Sequence, residues 1–185
     1  MKFPFSALCF LLAFSHASAQ DPLDPNLFQA GVYGDHDRTV TCISGQSGAT
    51  FEQVGWAWIP DDLGAAYITL RFEFPANLDF SAHPIFHDLV VDVLVRDYPG
   101  STVEWRMLFE GCPSGWIKVF SQQCILLDDQ PSEIRIFGEN SMVRDCDFIL
   151  NDLSVLNNLS LNDPDCQTVS VEVSTWGWIK SIFRD

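Results

Sequence analysis

Ala66-Tyr-Ile-Thr-Leu-Arg-Phe-Glu-Phe74 alternates without a break. Ile68, Leu70, Phe72 and Phe74 fall on one side of an extended chain; Tyr67, Thr69, Arg71 and Glu73 fall on the other. Successive strand side chains point to opposite faces, so this spacing predicts a strand buried on one face only. Pro75 ends it, because proline has no N–H to give a ladder. Asp88 to Arg96 repeats the pattern, with Leu89, Val91, Val93 and Val95 expected inward. Ser101 to Phe109 sets Val103, Trp105, Met107 and Phe109 against Thr102, Glu104, Arg106 and Leu108. Shorter runs read as strands at Arg38–Cys42, Trp116–Phe120, Cys124–Leu127, Glu133–Phe137 and Thr168–Val173. Turn residues separate them and no long amphipathic helix intervenes. The fold class this predicts is all-β: an antiparallel β-sandwich, jelly-roll or immunoglobulin-like, burying one face of each sheet.

Leu150 to Asp163 breaks the pattern. Leu-Asn-Asp-Leu-Ser-Val is followed by Leu-Asn-Asn-Leu-Ser-Leu, with leucines at 150, 153, 156 and 159. A step of three lies between the strand and helix periods. A tight loop or short helical turn is the expectation, its leucines docked on the sandwich and its Asn and Asp side chains bonding nearby backbone.

The two ends read differently from the middle. Met1-Lys2 is followed by an apolar run, Phe3 to Phe14, and by Ala17-Ser-Ala19. That is the pattern of a secretory signal peptide cleaved after Ala19. Its core of about 12 residues is too short to span a bilayer, which takes roughly 20. The expectation is a protein released to the extracellular space or cell envelope, with no membrane span. Residues 1–19 are then the signal, 20–30 an extended lead-in with Pro22 and Pro25, 31–173 the sandwich, and 174–185 an amphipathic tail. In that tail Thr175 suits a helix start, and Trp178, Ile179, Ile182 and Phe183 recur at helical spacing. A short C-terminal helix is expected there.

Removing 19 of the 185 residues leaves 166, with 25 acidic side chains against 9 basic ones once Lys2 is gone, a net charge of −16. Such a surface repels nucleic acid and anionic membrane. It favours solubility, or the binding of cations. Five cysteines remain after Cys9 leaves: Cys42, Cys112, Cys124, Cys146 and Cys166. Export favours disulfides, and the local spacing favours Cys112–Cys124 and Cys146–Cys166, with Cys42 free or competing for either partner. No cysteine pair has the short gap of a structural zinc site.

Candidate sites are few. Trp56 and Trp58 are two apart, so a strand puts them on one face, where paired aromatics hold sugar rings or mark a protein interface; core packing is the plainer role. Asp145, Asp147, Asp152, Asp163 and Asp165 converge on a structural calcium only if Cys146 and Cys166 are bridged, and no twelve-residue calcium loop is present. His83 and His87 have the four-residue step of a zinc pair, but Pro84 argues against the helix it needs. Gly-x-Ser-x-Gly, Cys-x-x-Cys and phosphate-cradling glycine loops are all absent, so no catalytic residue is assigned. Asn158-Leu-Ser160 is a glycosylation sequon, relevant in a eukaryotic source.

The tail Val173-Ser-Thr-Trp-Gly-Trp-Ile-Lys-Ser-Ile-Phe-Arg184 resembles the ending Ser-Thr-Trp-Gly-x-Ile-Lys-x-(Leu/Ile)-(Tyr/Phe)-Arg of a group of secreted bacterial proteins without an assigned activity. Gly31-Val-Tyr-Gly-Asp35 and Leu156-Asn-Asn-Leu-Ser-Leu-Asn162 are similar to the same group. The resemblance implies an exported sandwich of cohesin-like or carbohydrate-module-like type and brings no catalytic residues. The expected function is a secreted, non-enzymatic extracellular or cell-surface module that binds glycan or protein, with no cofactor beyond a structural calcium. The alternative is a secreted, glycosidase-like hydrolase working through paired carboxylates.

Overall fold

A computed structural model describes residues 23–165 and 169–170. The signal segment and the C-terminal tail, with the helix expected in it, lie outside the described residues. Fourteen strands and one 3₁₀ turn make up the order: β1 (Phe28–Tyr33), β2 (Cys42–Ser44), β3 (Thr50–Ile59), β4 (Tyr67–Glu73), β5 (Leu78–Phe80), β6 (Ile85–Phe86), β7 (Val90–Asp97), β8 (Thr102–Phe109), β9 (Gly115–Leu126), β10 (Ser132–Ile136), a 3₁₀ turn at Gly138–Asn140, β11 (Met142–Arg144), β12 (Leu150–Asn157), β13 (Leu159–Leu161) and β14 (Val169–Ser170).

The strands form two facing layers. One runs β12–β1–β3–β9, with β5 and β6 on the outer edge of β9. The other runs β7–β8–β4, with β10 and β11 both on the far edge of β4, continuing through β13 and β2 to β14. β12 joins the layers: Leu150–Asp152 pair with β11 and Leu153–Asn157 with β1.

β4 follows the alternation of its sequence. Ile68, Leu70 and Phe72 are fully buried and Phe74 nearly so. Trp105, Met107 and Phe109 on β8 are buried beside them. An aromatic knot ties the layers together: the Phe72, Trp105 and Phe120 ring centroids lie 4.8–5.5 Å apart in tilted and edge-on contacts. Such pairs contribute about 0.5–1.5 kcal/mol each beyond their buried area. Gly55 makes room for this knot, since a Cβ there would lie 2.0 Å from the Phe120 ring.

The structure corrects several expectations. The sandwich is mixed rather than purely antiparallel: β1 pairs β12, and β2 pairs β13 and β14, in parallel. The two short runs at 116–120 and 124–127 are one twelve-residue strand, β9, because Ser121, Gln122 and Gln123 continue the ladder against β3. The strand expected at 38–42 starts at Cys42, because residues 34–40 close into a loop. Leu150–Asp163 is neither loop nor helical turn but two strands, β12 and β13. Its three-residue leucine step arises as the chain changes layers and then breaks at Asn158. On β7, Val91 and Val95 are 58% and 59% exposed rather than inward.

The expected Cys112–Cys124 bridge is replaced. Cys112 is joined to Cys146, Cα to Cα 6.0 Å, so Cys146–Cys166 is excluded too. Cys124 is a buried free thiol on the core face of β9. Cys42 is not free but disulfide-bonded. The turn Pro113-Ser-Gly115 sends the chain from Cys112 into β9, which runs against β3 rather than back against β8. No hairpin therefore brings Cys124 to Cys112.

Candidate functional site

The outer face of the β1–β3–β9 layer carries the most chemically distinctive surface. β3 alternates from Gly55 onward: Gly55, Ala57 and Ile59 are buried, leaving Trp56 and Trp58 together on the other side, while Val54 before them is buried too and the register against β9 shifts between Gly55 and Trp56. The shared face expected of that pair is present, and the antiparallel register extends it. Trp58 lies opposite Trp116 on β9, and Trp56 opposite Lys118. Trp58 and Trp116 meet edge to face with centroids 5.7 Å apart. On the other flank, Gln29 and Gly31 of β1 lie opposite Trp58 and Trp56. The lead-in covers that flank: Trp58 Nε1–H donates to the Pro25 carbonyl at 3.3 Å, and Asp24 N–H to Gln29 Oε1 at 2.9 Å.

A tight loop after β1 sets a cation on this surface. Gly34 N–H donates to the Val40 carbonyl at 2.7 Å. Asp35 Oδ1 accepts from the N–H of Thr39 and of Val40, and its Oδ2 accepts from the Thr39 hydroxyl. The loop so closed holds Arg38 in the left-handed region, φ +62°, which a non-glycine residue adopts at a cost. The result is a guanidinium lying 4.8 Å from the ring centroid of Trp56 and 4.2 Å from that of Trp116. Beside it a depression of about 360 Å³ is walled by Trp56, Trp116, His36, His87 and Lys118, with Leu89, Pro113, Ser114 and Ile117. His36 Nε2 is 3.0 Å from Glu52 Oε2, and His87 Nδ1 accepts from the Leu89 N–H at 3.2 Å. Trp56 Nε1–H is buried without an acceptor among the described residues. Nearby, burial raises the Tyr33 hydroxyl pKa, and the charge of Arg38 works against that rise.

The opposite outer face is also arginine-rich. Arg71 stacks 4.1 Å from the Tyr98 ring centroid, and Arg106 lies 5.3 Å from that of Tyr67. It carries Glu73, Glu104 and Glu133 among the arginines.

The acidic cluster is not assembled. Asp145 is buried, and its carboxylate is used locally: Oδ1 accepts from the Ile149 N–H and Oδ2 from the Asn151 amide, closing the β11–β12 turn. Asp163 Oδ1 caps the Asp165 N–H at 2.9 Å. Asp152 sits on β12 opposite Met142, and Asp147 is exposed in the turn. The bridge that was to draw Asp145 and Asp147 to Asp163 and Asp165 is the one excluded above. Among the described residues no three His, Cys, Asp or Glu side chains gather as metal ligands, the pair His83 and His87 included. No carboxylate walls the depression. No helix among the described residues is long and apolar enough to cross a membrane.

Of the three tryptophans on this face, the two-residue spacing of Trp56 and Trp58 marks two in the sequence. Trp116, Lys118 and Arg38 were missed because the β3–β9 register and the reach of the Arg38 loop are tertiary facts. The Gly34-Asp35 turn signal before Arg38 was the one cue available.

This β-sandwich is similar in architecture to solved cohesin modules. Solved structures similar to it include a non-cellulosomal cohesin from Archaeoglobus fulgidus, 12% identical at a TM-score of 0.53, covering 85% of this chain and 98% of that one. A cohesin module from a family 33 glycoside hydrolase of Clostridium perfringens is 12% identical at a TM-score of 0.59, covering 79% and 98%. A type I cohesin from Clostridium thermocellum, solved in complex with a dockerin, is 12% identical at a TM-score of 0.58, covering 78% and 96%. No family model and no curated protein sequence matches the chain. At this identity the likeness defines the fold.

Proposed function

We propose that this protein is a non-enzymatic extracellular module that binds a protein partner on the outer face of its β1–β3–β9 layer. The observation that carries the reading is Arg38 held over Trp56 and Trp116 at the edge of the depression. Tryptophan and arginine are the residues that most often dominate protein interfaces. A guanidinium on two indole faces is stripped of much of its water before a partner arrives, so less desolvation remains to oppose binding. Sugar stacking needs an open indole face, and here the guanidinium occupies two of them, which favours a protein over a glycan. With Lys118, His36 and His87 around it, the depression suits a partner segment that presents an acidic side chain. Dockerin-bound neighbours with the same fold support the protein-binding reading. The signal pattern and the disulfide support a place outside the cell.

The test uses the mature protein as bait against surface and secreted proteins of its source, beside a glycan array. A protein ligand is expected, with binding lost in Arg38→Ala and Trp116→Ala and retained in Arg106→Ala on the opposite face. Loss only in Arg106→Ala would move the docking surface to the β4–β8 face. A glycan ligand and no protein ligand would overturn the reading.

A further inference from the structure

We propose that the free edge of β7 is a self-association surface on which a second copy of this chain adds its own β7, antiparallel, around a two-fold axis. Among the described residues β7 pairs only with β8, which leaves its other side an open strand edge there. Open edges usually carry guards, because unpaired N–H and C=O groups template pairing with another chain. This one has a bulge at its start, between Val90 and Asp92, and carries Asp92, Arg96 and Asp97, but it runs regularly from Asp92 to Asp97 and leaves Val91, Leu94 and Val95 at 55–59% exposure. Among the described residues no further strand covers them.

The backbone sets which residues face outward. Tyr98 N–H donates to the Thr102 carbonyl at 3.0 Å, and the β7–β8 register is unbroken from Asp92 to Asp97. By the alternation of an antiparallel ladder, Asp92, Leu94 and Arg96 bond to β8, while Val93 and Val95 turn their N–H and C=O to the open side. In the single copy the Val93 N–H donates to Asp92 Oδ1 at 2.9 Å, so a second β7 must displace that carboxylate to make its hydrogen bonds through Val93 and Val95.

One register satisfies this and the side chains together. With Leu94 opposite Leu94 of the second copy, Val93 and Val95 exchange the backbone bonds across the axis. Asp92 then falls opposite Arg96 of the second copy, and Arg96 opposite its Asp92. Leu94 and both charge pairs lie on the outer face, where Arg106 and Glu104 of β8 are their lateral neighbours. The valine pairs lie on the core side. A slip of two residues along one strand sets Leu94 against Arg96 or Asp92 and loses both charge pairs. The strand is thus self-complementary in sign as well as shape, as an isologous contact requires.

Sedimentation velocity of the mature protein over a concentration series tests this, with variants checked for folding by thermal melt. Wild type is expected to shift from monomer to dimer with concentration. Val95→Pro removes an outward N–H and leaves the β7–β8 ladder whole, so it is expected to melt like wild type and stay monomeric. Asp92→Arg and Arg96→Asp each place like charges together at two symmetric points. The dimer dissociation constant of each is expected to rise by about tenfold or more. Mixed in equal amounts, these two variants are expected to dimerise again, because each then meets its complement at both points. A wild type that is monomeric throughout overturns the proposal. So does a dimer indifferent to Val95→Pro, or a mixture no more associated than its parts. The readout is independent of the Trp56–Trp116 surface, so failure here leaves that reading standing.

Discussion

Single residues show most directly how this sandwich was built. Gly55 lies where the Phe120 ring crosses β3. Gly55→Ala is expected to cost about 1–3 kcal/mol, the usual penalty for overfilling a packed core, read as a lower urea midpoint at unchanged slope. Asp145 satisfies the Ile149 N–H and the Asn151 amide from a buried position. Asp145→Ala removes the acceptor of the Ile149 N–H, while the Asn151 amide keeps the Ile149 carbonyl, and is expected to cost about 1–2 kcal/mol, measured in the same way. Burial pushes the Cys124 thiol well above its ordinary 9.0. The folded state keeps the proton that the unfolded chain releases, so this contribution is whole below the unfolded thiol's pKa. It is lost as pH rises past it, from about pH 8.5 upward. The alkaline fall in stability is expected to be shallower in Cys124→Ala. Iodoacetamide is expected to label Cys124 only in denaturant.

At the scale of elements, the Cys112–Cys146 bridge ties the turn before β9 to the turn between β11 and β12, across 34 residues of sequence. Closing a loop of that length in the unfolded chain is worth about 3–4 kcal/mol in the chain-entropy account. The double variant Cys112→Ala, Cys146→Ala is expected to melt roughly 10 °C lower, by calorimetry, with the β-sheet circular dichroism retained at room temperature. β4 and β8 were legible because each buries one face and exposes the other, which writes a period of two into the sequence. β7 carries the same period, but of its expected inward row Leu89 and Val93 pack against the core while Val91 and Val95 are exposed. Among the described residues its only partner strand is β8, which leaves part of that row open to solvent. β12 was illegible for a different reason: it serves one layer with its first three residues and the other with the rest, so no single face governs its leucines.

Across the whole molecule, charge and topology set behaviour that no element has alone. A sequence pI of about 4.3 with few basic side chains leaves the surface anionic at neutral pH, so solubility is expected to pass through its minimum near that pH. The cations at Arg38 and Lys118 are local exceptions to that field. Binding of an acidic partner there is expected to weaken with added salt. The β1–β12 and β2–β13 pairings join residues more than a hundred positions apart. Such non-local closure is expected to place refolding in the millisecond-to-second range, followed by tryptophan fluorescence after dilution from urea.

The sequence alone determined the all-β class and the inward rows of β4 and β8. It also determined that Trp56 and Trp58 share a face. These follow from a period of two, which is local and needs no partner strand. Tertiary structure decided the parallel pairings, the Cys112–Cys146 bridge and the placing of Trp116 and Arg38 beside Trp56. Each depends on which distant segments become neighbours. That choice is made by the closure of two layers over one core, and alternation within a strand carries no record of it.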